Sequence, residues 1–165
     1  MKKEAWLAAV AGLLVAGTIA TWFLSRPSPE GLATAARARA LLDRASERVV
    51  FYTLHPRPRP VDGKTGNPDL HGWTVLQRKA IDDRDMVQRI RDTVSDARTY
   101  GGTPARCFEP GLAFGFEGIE AVDFVVCLAC QQIACFKGGQ RADLFVLSPS
   151  GNARLLALYK ALADP

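Results

Sequence analysis

Histidine is nearly absent from this chain: His55 and His71 are the only two in 165 residues. Neither stands near a carboxylate or serine at a recognised catalytic spacing, and His71, beside Gly72-Trp73, reads as a packing or hydrogen-bonding residue. No GxSxG, HExxH, Walker or dinucleotide-binding glycine pattern occurs, so the familiar hydrolase, zinc-protease and nucleotide-binding chemistries lack their residues. Clustered positive charge is missing too. The formal net charge of +4 comes from both signs interspersed, and Arg57 and Arg59 within PRPRP are too few for a nucleic-acid surface, which would gather Lys and Arg among stacking aromatics. There is no internal repeat and no low-complexity tract. Asp82, Asp83 and Asp85 form a small acidic cluster, better explained by helix capping than by metal coordination. No cofactor, metal or nucleic-acid partner is expected.

What the chain does have is a long uncharged run, Ala5 to Leu24. About 20 residues at about 1.5 Å each span roughly 30 Å, the thickness of a bilayer's hydrocarbon core. A cleaved signal would show a shorter apolar region followed by small residues, whereas this run ends in Thr21-Trp22-Phe23-Leu24. Trp6 and Trp22 bracket it about 24 Å apart on a helix, as interfacial aromatic anchors do. The expectation is a retained single-pass anchor in segment 1–27 and a domain over 28–165. Lys2 and Lys3 favour an inside N-terminus while Arg26, Arg37 and Arg39 weigh against it; four cysteines in a small domain favour an oxidising compartment. The location that follows is the inner membrane, with the domain on the periplasmic side.

Ser28-Pro29 reads as an N-cap and first helical position. Ala35, Ala38, Leu42, Ala45 and Val49 then recur at helical steps, which predicts a helix from about Pro29 to Arg48. Residues Val49–Leu54 predict a strand that stops at His55-Pro56, and the prolines and turn pairs that follow predict a surface loop over Pro56–Leu70. A loop of that length makes Pro56, Arg57, Pro58, Arg59 and Pro60 candidate partner contacts. A short strand at Trp73–Gln77 follows, then a helix capped by Asp82 or Asp83 with Met86, Val87, Ile90, Val94 and Ala97 on one face, ending before Gly101-Gly102. Arg106–Phe116 and Ala121–Phe136 predict a hairpin turning near Glu117-Gly118. A strand at Asp143–Leu147 and a helix opened by Ser148-Pro149-Ser150 complete the chain, with Ala153, Leu156, Leu158, Tyr159 and Leu162 facing a sheet. The fold class is α+β, a small mainly antiparallel sheet with about three helices behind a transmembrane anchor.

Three of the four cysteines lie in VDFVVCLACQQIACF and the fourth, Cys107, lies a hairpin's length upstream. Cys127-Leu128-Ala129-Cys130 matches the bare CxxC pattern of thiol oxidoreductases, but its flanks are strand-like, so no helix N-terminus lowers the first thiol's pKa. Four cysteines could ligate zinc, yet the second CxxC knuckle of a zinc ribbon is missing. Haem attachment fails because Gln131 follows Cys130. A structural disulfide fits better. With a turn centred at about residue 117.5 to 119, Cys107 falls opposite a position near 128–131, so Cys130 is the first choice of partner and Cys127 the second. On a regular strand Cys127 and Cys130 point to opposite faces.

The run Cys107-Phe108-Glu109-Pro110-Gly111, followed by Val122-Asp123-Phe124-Val125-Val126-Cys127-Leu128-Ala129-Cys130, resembles an uncharacterised family of exported bacterial proteins. That family has a CFxPxHGI-like element and a VDLVICFECxQI-like strand. Leu54-His55-Pro56 and His71-Gly72-Trp73-Thr74-Val75-Leu76 resemble its upstream motifs, so the likeness spans roughly Phe51 to Leu162. Gln132 and Ile133 also match. The family's Arg-His before the glycine is missing, Ala129 replaces an acidic residue and Cys135 is additional. The resemblance implies an exported location and this kind of fold, and no activity.

These readings converge on a non-catalytic, membrane-anchored interaction or assembly subunit of a larger bacterial membrane complex, with a respiratory or photosynthetic host as a plausible setting. Its partners would be the lipid bilayer and neighbouring subunits. The alternative is an extracytoplasmic thiol-redox or metal-binding protein using Cys107, Cys127 and Cys130.

Overall fold

The computed structural model describes residues 26–43, 45, 48–58 and 69–163. Seven strands form one sheet in the order β2-β3-β1-β4-β5-β6-β7, and every neighbouring pair is antiparallel. The strands are β1 (Val49–Pro58), β2 (Asp69–Leu70), β3 (Trp73–Ile81), β4 (Leu112–Phe116), β5 (Val122–Cys127), β6 (Gln132–Lys137) and β7 (Gln140–Val146). Three helices accompany them: α1 (Pro29–Leu42), α2 (Arg84–Ser95) and α3 (Pro149–Ala163). The α+β class follows directly. No helix among the described residues is long and apolar enough to cross a membrane; the anchor expected over Ala5–Leu24, with Trp6 and Trp22, lies outside the described residues.

Strand periodicity sorts the side chains into two cores. Phe51, Phe114, Phe116, Phe124, Ile133 and Phe145 face the helices and meet Ala35, Ala38, Ile90, Val94, Leu155 and Leu158. The alternate positions Leu54, Val75, Ala113, Val125, Ala134 and Phe136 form a second, smaller core on the other face. The three middle strands β4, β5 and β6 are therefore apolar on both sides, whereas an antiparallel sheet with one covered face would alternate. Two register shifts between β1 and β3, at Thr53/Leu54 and Leu54/Pro58, supply the cover: bulges bend strands, and the bend carries the β2–β3 hairpin over the outer face.

Local chemistry sets the helix starts. Ser28 accepts from the Gly31 amide at 3.0 Å, and Asp83, one of the two expected caps, accepts from the amides of Asp85 and Met86. The end of α2 is tied to α3 through Asp96, which takes Arg98 at 2.7 Å and Arg154 at 2.8 Å. The hydrogen bonds from Arg98, with the charge of Arg154, hold the Asp96 carboxyl below the ordinary carboxylate range against the opposing effect of burial.

Several expected boundaries move. Helix α1 stops at Leu42 rather than near Arg48, its end closed by the Asp43 amide on the Arg39 carbonyl, and Val49 is already in β1. Strand β1 runs through His55-Pro56 to Pro58, because β4 ends at Leu112 opposite Thr53 and no ladder bond is demanded of the prolines on that side. Pro56, Arg57 and Pro58 thus belong to a strand end rather than a loop; Arg59 and Pro60 lie outside the described residues. Strand β3 reaches Ile81, four residues past the expected end. On α3 the buried face is Gly151, Leu155, Leu158 and Leu162, while Ala153 and Leu156 are exposed. The expected single return strand Ala121–Phe136 is two strands, β5 and β6, joined by a turn at Leu128–Gln131 in which Gln131 has φ +53°. A Gly138-Gly139 turn with positive φ at both residues then leads into β7, as two-residue hairpins require.

Candidate functional site

The outer face gathers what is chemically distinctive in this domain. The turn between β2 and β3 consists of His71 and Gly72, both at positive φ (54° and 93°). This is the two-residue geometry whose twist suits a hairpin, and histidine tolerates it better than most side chains. The Gly72 amide donates to Asp69 Oδ1 at 2.6 Å. Folded over the sheet, the turn delivers His71 to Asp123 on β5, with Nε2 2.8 Å from Oδ2. The imidazole also lies flat on Phe136, ring centroids 3.8 Å apart and 5° from parallel. Both side chains are mostly withdrawn from water, with 10% and 17% of their surface exposed.

Room for this pair comes from β4. A β-carbon on Gly115 would stand 2.7 Å from Asp123 Oδ1 and 3.0 Å from the Tyr52 ring, so the absent side chain is what lets the carboxylate and the tyrosine sit side by side. Next to the pair, Trp73 meets Phe108 edge-on at 5.7 Å and Phe136 at 6.5 Å. Trp73 and Phe108 are each half-buried, and Trp73 Nε1 has no hydrogen-bond partner among the described residues.

The cysteines flank this cluster. Cys107 and Cys130 are joined as a disulfide with Cα atoms 6.0 Å apart and a sequence separation of 23 residues. The β4–β5 register pairs Leu112 with Val126 and Phe116 with Val122, centring the turn on Ile119. Continued strands would have put Cys107 opposite residue 131; instead both chains leave the ladder, and Cys130 meets Cys107 from the Leu128–Gln131 turn. The segment carrying Cys107 is held at three further points: Gln132 Nε2 donates to the Ala105 carbonyl at 2.9 Å, Phe108 packs on Trp73, and the Gly111 amide donates to Val126 at 3.2 Å.

Cys127 is fully buried as a free thiol, and its Sγ accepts the Cys130 amide at 3.1 Å. The CxxC segment therefore leaves the strand at Cys127, the last residue of β5, and turns over Leu128–Gln131 instead of continuing as a regular strand. Cys135 faces the helix-side core; burial, reinforced by Asp143, pushes its thiol well above the ordinary value. Among the described residues no group of three or more His, Cys, Asp or Glu could hold a metal ion.

The His71–Asp123 pair escaped the sequence reading, although each residue falls within a motif of the resemblance quoted above. A signal was present: Asp123 is the one charged residue in an otherwise apolar strand, and a carboxylate there demands a partner. What could not be read was that the partner sits 52 residues upstream, because the contact depends on the curl of β1 and β3. No protein-family model matches the chain, and neither a curated protein nor a solved structure matches it.

Proposed function

We propose that this protein is a non-catalytic interaction module, held to the membrane by its N-terminal apolar segment, that assembles with other subunits of a bacterial membrane complex on the periplasmic side. The observation that carries this reading is the tip of the curled hairpin. There the proline-bearing end of β1, Pro56–Pro58, pairs with Trp73, and half-buried Trp73, Phe108 and Leu70 edge the second core. Half-buried aromatics are among the side chains that dominate protein interfaces. The His71–Asp123 pair supports a structural role for its members, since the imidazole gives one face to Phe136 and one nitrogen to Asp123.

The test is photocrosslinking from Arg57, which is exposed at the strand end, in intact cells, followed by native electrophoresis of mildly solubilised membranes. Cross-links to defined membrane subunits and co-migration with them are expected. Migration solely as a free monomer, with no cross-linked partner, would overturn the reading.

A further inference from the structure

We propose that Cys107, Cys127 and Cys130 form an internal thiol–disulfide exchange set, in which the disulfide moves from Cys107–Cys130 to Cys127–Cys130 and frees Cys107 at the surface. Three observations place the partners. Cys127 and Cys130 lie on one tight turn, with the Cys127 sulfur bonded to the Cys130 peptide N–H at 3.1 Å, so the free thiol is held against the backbone of the residue it would attack. Cys127 and Cys130 are 0% and 2% exposed, whereas Cys107 is an exposed residue in an exposed stretch, so the leaving thiol belongs to the cysteine at the surface. The remaining thiol, Cys135, points into the opposite core and takes no part.

The step is redox-neutral. Cys127 is buried in the closed domain, so its thiol gives its proton to solvent base as the Leu128–Gln131 turn opens, and the thiolate attacks Cys130 Sγ through a linear displacement. The Cys127–Cys130 bond forms as the Cys130–Cys107 bond breaks, and the departing electron pair goes to Cys107 Sγ, which takes up a proton. One disulfide and one thiol exist before and after, so no external oxidant or reductant enters.

The consequence is mechanical. After exchange, the segment 101–111 loses its covalent tie; its ends stay bonded through Gly101 to Val146 and through Gly111 to Leu54 and Val126, while between them the Gln132–Ala105 hydrogen bond and the Phe108–Trp73 contact are left to hold the edge of the outer core beneath Phe108. This inference stands independently of the proposed partner assembly, because its readout is the chemistry of the chain alone.

The experiment uses the full-length protein in mild detergent, without reductant, incubated with N-ethylmaleimide at pH 8. Proteolysis after Glu117 and Glu120 separates Cys107 from the CxxC turn, and mass mapping then reads both. Expected is time-dependent maleimide on Cys107, accompanied in equal amount by a peptide carrying the Cys127–Cys130 disulfide. Cys127→Ala should abolish Cys107 labelling at least tenfold while retaining the Cys107–Cys130 link, and Cys135→Ala should label as the wild type does. Two results would overturn the proposal: maleimide on Cys127 with Cys107–Cys130 intact, or Cys107 labelling without a Cys127–Cys130 peptide. The wild-type peptide map decides between these even where Cys127→Ala fails to fold.

Discussion

Reducing the Cys107–Cys130 disulfide should lower the stability of the domain by about 3 kcal/mol. The figure comes from the 23-residue separation through the chain-entropy estimate for a loop of that size. Little folded-state packing is at stake on the Cys107 side, which is exposed, so the loss should act on the unfolded chain. In a domain of this length, that corresponds to a fall in melting temperature of roughly 10 °C. The assay is urea unfolding of the full chain in mild detergent, with and without a phosphine reductant, followed by far-ultraviolet circular dichroism. Cys107→Ala measured in reductant supplies the control, and should agree with reduced wild type within about 0.5 kcal/mol, the spread usual for surface substitutions. A reduction penalty below about 1 kcal/mol would refute the reasoning, because it would mean the link constrains nothing the denatured chain is free to explore.

Gly115→Ala should destabilise by about 1–3 kcal/mol, the usual cost of overpacking, since the new carbon meets both Asp123 and Tyr52; an unchanged urea midpoint would contradict the placement of that pair. Asp83→Ala removes the acceptor for two amides at the start of α2 and should cost about 1 kcal/mol, readable by the same unfolding curve. Asp96→Asn tests pH linkage. The folded carboxyl is held below its ordinary range, so its contribution is complete above about pH 4 and disappears as the pH falls through the lower folded value. The asparagine variant should therefore show a flatter decline in stability below about pH 4 than the wild type. Cys135, whose thiol is raised by burial, should resist maleimide in the folded chain at pH 8 and react once urea unfolds it.

The legible parts of this fold were those specified within a few residues. Ser28 and Asp83 announced their helices because capping is local, and the facing ends of β4 and β5, at Phe116 and Val122, were set by the turn residues of a hairpin, whereas β4 begins at Leu112 rather than Arg106 and β5 ends at Cys127. Strand β1 was cut short because His55-Pro56 reads as a terminator, a rule that holds only where the proline's missing N–H faces a neighbouring strand. Here β4 has already ended, a fact that pairing decides and composition does not. The turn at Leu128–Gln131 was invisible for a related reason: it contains no glycine, proline, asparagine or aspartate, and Gln131 takes the positive φ that those residues usually signal. The disulfide partner was reachable because loop length constrains it even when strand geometry is assumed wrongly.

The outer face shows why a partner cannot always be read from spacing. Asp123 is followed by seven apolar or sulfur-bearing residues and is 52 residues from His71; nothing along the chain links them. Their meeting needs three conditions at once: register shifts that curl β1 and β3, a His71-Gly72 turn that accepts positive φ, and a glycine at 115 to leave space. Each has its own separable consequence. Were the turn alone responsible, Gly72→Ala, strained at φ +93°, would loosen His71 and Gly115→Ala would not. Were space alone responsible, Gly115→Ala would shift Asp123 while leaving the Gly72–Asp69 hydrogen bond at 2.6 Å intact. Hydrogen exchange of the residue-72 amide tells these apart: it should rise sharply in Gly72→Ala and stay protected in Gly115→Ala, and equal exposure in both variants would mean that turn and sheet fold as one inseparable unit.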